Sequence, residues 1–244
     1  MYRIKPMNDR NSMRSVEKTK ELNLKNAKKG QTMNYINNPR EIEERSFEII
    51  TEELGDKVFP EEIADIVKRV IHTTADFEYA DLIEFKNDAL ESGLKALKAG
   101  KKIYADTSMI RVAVNRKALA SHGIEIVNYV HDEDVVKAAK ERGVTRSTVG
   151  MEKALEDESV GIFAVGNAPT ALYRLIEFIK EGKAKPELIV GAPIGFVGAA
   201  ESKAALDELD DLQVPYIRIN GRKGGSPGVA AILNAMLYKL GREW

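Results

Sequence analysis

Two hydrophobic periods divide the chain. Up to Gly100 the apolar residues recur at helical spacing. Asn38 stands where a helix cap belongs, Pro39 takes the first helical position, and Glu41, Glu43 and Glu44 suit the positive end of the helix dipole. Ile42, Phe47, Ile49 and Ile50 then supply an approximate apolar face. Pro60-Glu61-Glu62 opens a second helix, with Ile63, Ile66, Val67 and Val70 on one stripe. A third helical stretch is expected over about 82–97, stopping at Gly100. From Lys102 the pattern changes to five short apolar runs at 103–105, 124–127, 162–165, 188–190 and 216–219. The stretches between them are long enough for crossover helices. This alternation predicts an α/β fold whose parallel sheet carries helices on both faces.

Residues 1–32 break with both patterns. They are rich in Lys, Arg, Asn and Glu and poor in large apolar side chains, so they are expected to lie outside the core. A single domain is expected over 33–244, helical over 33–100 and built on the parallel sheet over 101–244. The 244 residues are 43% hydrophobic and 31% charged, which suits a globular core. The formal net charge of −1 gives no field that favours nucleic acid or an anionic membrane. No apolar run reaches the length of about 20 residues that spans a bilayer. The absence of cysteine excludes disulfides, thiolate metal sites and a cysteine nucleophile, and fits a cytoplasmic setting.

Chemistry is expected beyond the carboxyl ends of the strands, where open parallel sheets bind ligands. Four of the five runs lead there into unusual segments. These are Asp106-Thr107-Ser108, Gly166-Asn167-Ala168-Pro169-Thr170, the glycine-rich stretch 191–198, and Asn220-Gly221-Arg222-Lys223-Gly224-Gly225-Ser226. One such loop needs only turn chemistry as its explanation. Four on one edge suggest a shared site for a large ligand. Neither G-x-x-x-x-G-K-[ST] nor G-x-G-x-x-G occurs, which weakens a nucleotide-dependent reading. Arg146, beside hydroxyls in Thr145-Arg146-Ser147-Thr148, suits either a surface cap or a carboxylate fork. Arg222 and Lys223 add positive charge between glycines.

The three histidines are too dispersed for a metal site by spacing. His122 and His131 read as turn or surface residues. His72 ends the apolar stripe of the second helix, where it serves either structure or proton transfer near neutral pH.

Several segments together resemble one family. In order they are Arg45-Ser46-Phe47, Val70-Ile71-His72, Asp106-Thr107-Ser108-Met109, Thr145-Arg146-Ser147, Gly166-Asn167-Ala168-Pro169-Thr170-Ala171-Leu172, Gly195-Phe196-Val197-Gly198-Ala199-Ala200-Glu201-Ser202-Lys203 and Gly221-Arg222-Lys223-Gly224-Gly225-Ser226. From about Tyr35 to about Leu237 the chain is similar to the precorrin-8X methylmutases, a family that includes the cobalt-precorrin-8 methylmutases. The resemblance implies a flavodoxin-like three-layer sandwich with a five-stranded parallel sheet, preceded by a helical N-terminal region. It implies a homodimer whose second subunit helps enclose the site. The implied reaction moves a methyl group from C11 to C12 of precorrin-8X or its cobalt form, giving hydrogenobyrinate or cobyrinate in cobalamin biosynthesis. His72 then falls on the family's essential histidine, the general acid. Ser46, Arg69, Arg146, Ser147, Gly224, Gly225 and Ser226 fall on substrate-contacting positions. Thr107, Asn167 and Arg222 join them from the loops, and no protein-bound metal or redox cofactor is expected. A corrinoid-binding protein without turnover is the competing reading.

Overall fold

The computed structural model describes residues 35–241, and the chain divides into two compact units after Ser46. The expected extension over 1–32 lies outside the described residues. Helix α1 (Pro39–Leu54) starts as its sequence predicts, with Asn38 Oδ1 accepting the Arg40 N–H at 2.9 Å.

From Phe47 onward the elements follow as α2 (Glu61–Thr74), α3 (Tyr79–Leu82), β1 (Ile83–Lys86), α4 (Ala89–Lys98), β2 (Lys102–Ala105), α5 (Ser108–Ala113), α6 (Arg116–Ser121) and β3 (Ile126–Val127). Then come α7 (Glu133–Arg142), α8 (Arg146–Leu155), β4 (Val160–Val165), α9 (Pro169–Lys180), β5 (Leu188–Gly191), α10 (Ala199–Ala204), a 3-10 helix (Ala205–Leu212), β6 (Tyr216–Ile219) and α11 (Ser226–Lys239). No described helix is long and apolar enough to cross a membrane.

The sheet has six strands rather than five, in the order β1-β6-β5-β4-β2-β3. The five strands expected from the apolar runs are all present and mutually parallel. The sixth, β1, pairs antiparallel with β6 at the edge, within the stretch expected to be helical. Ile83-Glu84-Phe85-Lys86 alternates at a period of two, and Asn87 and Asp88 both adopt φ of 54° in the turn that follows. Asn and Asp tolerate this left-handed conformation, so the helix starts afresh at Ala89.

Burial on both faces explains the continuous apolar strands. In β4, Ile162 and Ala164 face one core, with β2 residues Ile103 and Ala105 and with apolar residues of α2, α4 and α11. Phe163 and Val165 face the other, with Tyr104, Ile189 and residues of α8 and α9. Full burial of a Leu or Ile side chain contributes about 1.5–3 kcal/mol, so these two cores fix the sheet between its helical layers.

Candidate active site

The order of the parallel strands reverses between β2 and β4, and ligand crevices form at the carboxyl ends of such a pair. Asp106 follows β2 there and is 2% exposed. Its carboxylate accepts the Gly166 N–H at 2.9 Å, the Asn167 N–H at 2.9 Å and the Ala168 N–H at 2.7 Å. Burial pushes the Asp106 carboxyl up, and these three amides oppose it. One side chain thereby ties the loop after β2 to the loop after β4. Next to it, Thr107 caps α5, accepting the Met109 N–H at 2.9 Å. Its hydroxyl also lies 3.2 Å from that of Ser226, the first residue of α11. Gly166 permits this approach, since a Cβ there would stand 3.0 Å from the Ser226 nitrogen.

The loop entering α11 is pinned from several sides. Gly195 N–H donates to the Arg222 carbonyl at 3.2 Å, Lys203 Nζ to the Lys223 carbonyl at 2.6 Å and Tyr79 Oη to the Gly224 carbonyl at 3.2 Å. Gly225 N–H donates to Ala192 at 2.8 Å. The positive charge that Lys223 brings between the glycines is already answered within the chain. Its ammonium pairs with Asp76 and, at 2.7 Å, with Glu78. Asp76 and Glu78 had suggested no role in the sequence. Hydrogen bonds to these two carboxylates hold the Lys223 pKa well above its ordinary value, and the bond to Lys223 holds that of Asp76 below its own.

A cavity of about 310 Å³ opens beside this loop. Arg69 and Thr73 of α2, Met109 and Ala113 of α5, and Ser226, Pro227, Ala230, Ala231 and Asn234 of α11 line it. The Arg69 guanidinium lies 5.1 Å from the Phe47 ring centre and 4.8 Å from that of Tyr238. His72 sits between Arg69 and Thr73 in position, in the last turn of α2. It is exposed, and its ring packs against Phe47 with centroids 5.6 Å apart. Helix α2 ends there because Ala75 turns left-handed at φ 52°.

The expected residues do not all gather in this cavity. Arg69 and Ser226 line it, and Thr107 reaches it through Ser226. Gly224 and Gly225 form the turn before Ser226. Arg146 and Ser147 open α8, whose cap residue Thr145 meets Thr170 of α9 at 2.8 Å between hydroxyls. Arg146 therefore stands on the same sheet edge, over the loop after β4, but not in the cavity wall. Asn167 belongs to that loop. Arg222 is exposed, its guanidinium 5.4 Å from the Phe196 ring centre. Ser46, in the first unit, donates its hydroxyl to the Ile42 carbonyl at 2.7 Å within its own helix. The sequence singled out the segments that hold Asp106, Met109 and Lys203 without giving these residues roles of their own, and it did not point to Thr73 or Asn234. An aspartate directly after an apolar run was a usable signal for the first. Nothing marked Lys203 as buried.

Comparison with known proteins decides the family. The precorrin-8X methylmutase family model matches residues 41–239. The chain belongs to the precorrin-8X methylmutase family. It is thus an isomerase of cobalamin biosynthesis that catalyses an intramolecular methyl migration. It is 50% identical over 198 residues to the cobalt-precorrin-8 methylmutase of Priestia megaterium, covering 81% of this chain and 87% of that one. It is 44% identical to the Salmonella typhimurium cobalt-precorrin-8 methylmutase over 214 residues, 85% of this chain and 99% of that one. The precorrin-8X methyl mutase from Thermus thermophilus superposes with a TM-score of 0.73 at 41% identity, covering 81% of this methylmutase and 96% of its relative.

Proposed function

We propose that the enzyme moves a methyl group from C11 to C12 of precorrin-8 or cobalt-precorrin-8, with His72 as general acid. The observation that carries this reading is the cavity at the carboxyl edge, lined by Arg69 and Thr73 of the helix turn that also bears His72, with His72 itself exposed beside the wall rather than in it. The rearrangement needs no electron donor or acceptor. It extends conjugation in the product, and proton donation to the ring system by an imidazole lowers the barrier further. The remaining work is orientation. Arg69, Arg146 and Arg222 face the side-arm carboxylates, while Ser226, Thr107, Ser147, Asn167 and the Gly224-Gly225 turn supply hydrogen-bonding groups around the rim. Ser46 belongs to the same reading as a substrate contact.

A volume of about 310 Å³ lies at the low end for ligand pockets, so a macrocycle extends beyond it over the rim. Met109, Phe196 and Val197 offer that rim exposed apolar surface, at 67%, 81% and 91% exposure. A second copy of the chain closing over the ring completes the site in this reading, as a homodimer. In this reading the five parallel strands, with antiparallel β1 added at the edge, form the sheet of a flavodoxin-like domain that works in the cytoplasm.

The test is incubation of purified enzyme with precorrin-8X and with its cobalt form, followed by product identification. His72→Ala is expected to abolish conversion while corrinoid binding persists, seen as a bound-substrate absorption spectrum. Normal conversion by that variant would remove His72 from the chemistry. Binding without conversion by the unaltered protein would favour a corrinoid carrier.

A further inference from the structure

Lys203 lies on α10 and is 0% exposed. Burial of a cation is unfavourable unless something answers the charge. No described carboxylate lies within ion-pair reach of it, and its ammonium donates to the Lys223 carbonyl at 2.6 Å. The neighbouring carbonyls, of Arg222 and Gly224, are held by neutral donors, the Gly195 N–H and the Tyr79 hydroxyl. Holding a carbonyl in this loop therefore does not require a charged donor. The use of the charge follows from the peptide it touches. A trans peptide is planar, with its C=O and N–H pointing in opposite directions. The Lys223 carbonyl points at Lys203, so the Gly224 N–H points away from it. That N–H has no acceptor among the described residues, although Gly224 is buried. Buried amide donors are nearly always satisfied in the working state.

Resting on the proposed function above, we infer that Lys203 is a positioning residue: it polarises the Lys223–Gly224 peptide, so that the Gly224 N–H donates to a side-arm carboxylate of the corrinoid. A cation hydrogen-bonded to the carbonyl end of a peptide strengthens the donor at its other end. The carboxylate in turn answers the buried ammonium. Burial lowers the Lys203 pKa to about 8, which leaves the ammonium predominantly protonated at neutral pH.

The test compares the polycarboxylate corrinoid product with its methyl ester, by absorption titration against the full-length protein. Lys203→Gln keeps a neutral donor for the Lys223 carbonyl and removes the charge. Lys203→Met is the second variant, retaining the apolar stem volume in case the first does not fold. Both are checked by their urea unfolding midpoints. The preference for acid over ester is expected to fall about tenfold in a folded variant, with ester affinity unchanged. An unchanged acid preference overturns the inference, as does an equal loss of affinity for acid and ester, the mark of a purely structural lysine. Unaltered protein that binds no corrinoid, or shows no acid preference, overturns the proposed function together with this inference.

Discussion

Replacing Gly224 with alanine tests the geometry of the loop that enters α11. Gly224 has φ 149°, a conformation that costs an L-residue about 1–3 kcal/mol. A Cβ there would lie 2.3 Å from the Ala192 carbonyl oxygen and 3.0 Å from its carbon. Both belong to backbone, so neither can swing aside as a side chain would. Relief requires moving the carbonyl that accepts the Gly225 N–H at 2.8 Å, which forfeits about 0.5–1.5 kcal/mol. Together these terms predict destabilisation by about 2–4 kcal/mol. Gly225 supplies the control. Its φ of 103° carries strain, but the nearest atom to a Cβ there, Pro227 Cδ, lies 3.5 Å away. Gly225→Ala is therefore expected to cost the conformational term alone. Urea unfolding measures both, read as a shift in midpoint at constant slope. Turnover should fall further in Gly224→Ala, because the displaced turn carries Ser226 with it. Equal stability of the two variants would refute the argument that Ala192 makes Gly224 obligatory.

Three further predictions follow from neighbouring contacts. Asp106→Ala leaves three amides of the loop after β4 without an acceptor and is expected to cost about 3 kcal/mol in urea unfolding, with loss of turnover; a cost below about 1 kcal/mol would show that water satisfies them. Burial works to raise the Glu84 pKa, but the Asn220 amide and the Arg218 guanidinium outweigh it and hold the carboxyl below its ordinary value. Its contribution is therefore fully present above about pH 4.3 and lost as pH falls through the lowered folded value, so Glu84→Gln should flatten the acid limb of stability against pH. An unchanged limb would place the acid sensitivity elsewhere. Arg146→Ala should weaken corrinoid affinity on the order of tenfold to a hundredfold in an absorption titration. Unchanged affinity would remove Arg146 from the substrate rim.

Much of the architecture was legible in local pattern. The five parallel strands announced themselves because a strand buried on both faces must be apolar throughout, and glycine-bearing turns bounded each run. The helix starts at Pro39 and Glu61 could be read because capping and dipole preferences act within one turn. β1 escaped because four half-buried residues alternate too briefly to compete with the helical pattern around them. Asn87-Asp88, the turn that isolates it, was the available clue.

The family was also written in the chain, because long loop motifs leave few alternative meanings. What only the tertiary structure decided is which charges remain for a ligand. Asp76 and Glu78 neutralise Lys223 across 147 and 145 residues of sequence. Arg218 is held by Glu84 across a strand pair that the pattern did not reveal. Lys203 is sealed beneath a loop that lies 20 residues on. Hydrophobic periodicity reports which face of an element is buried, whereas a salt bridge depends on which elements fold against each other, so pairing and burial of charge had to await the assembled sheet.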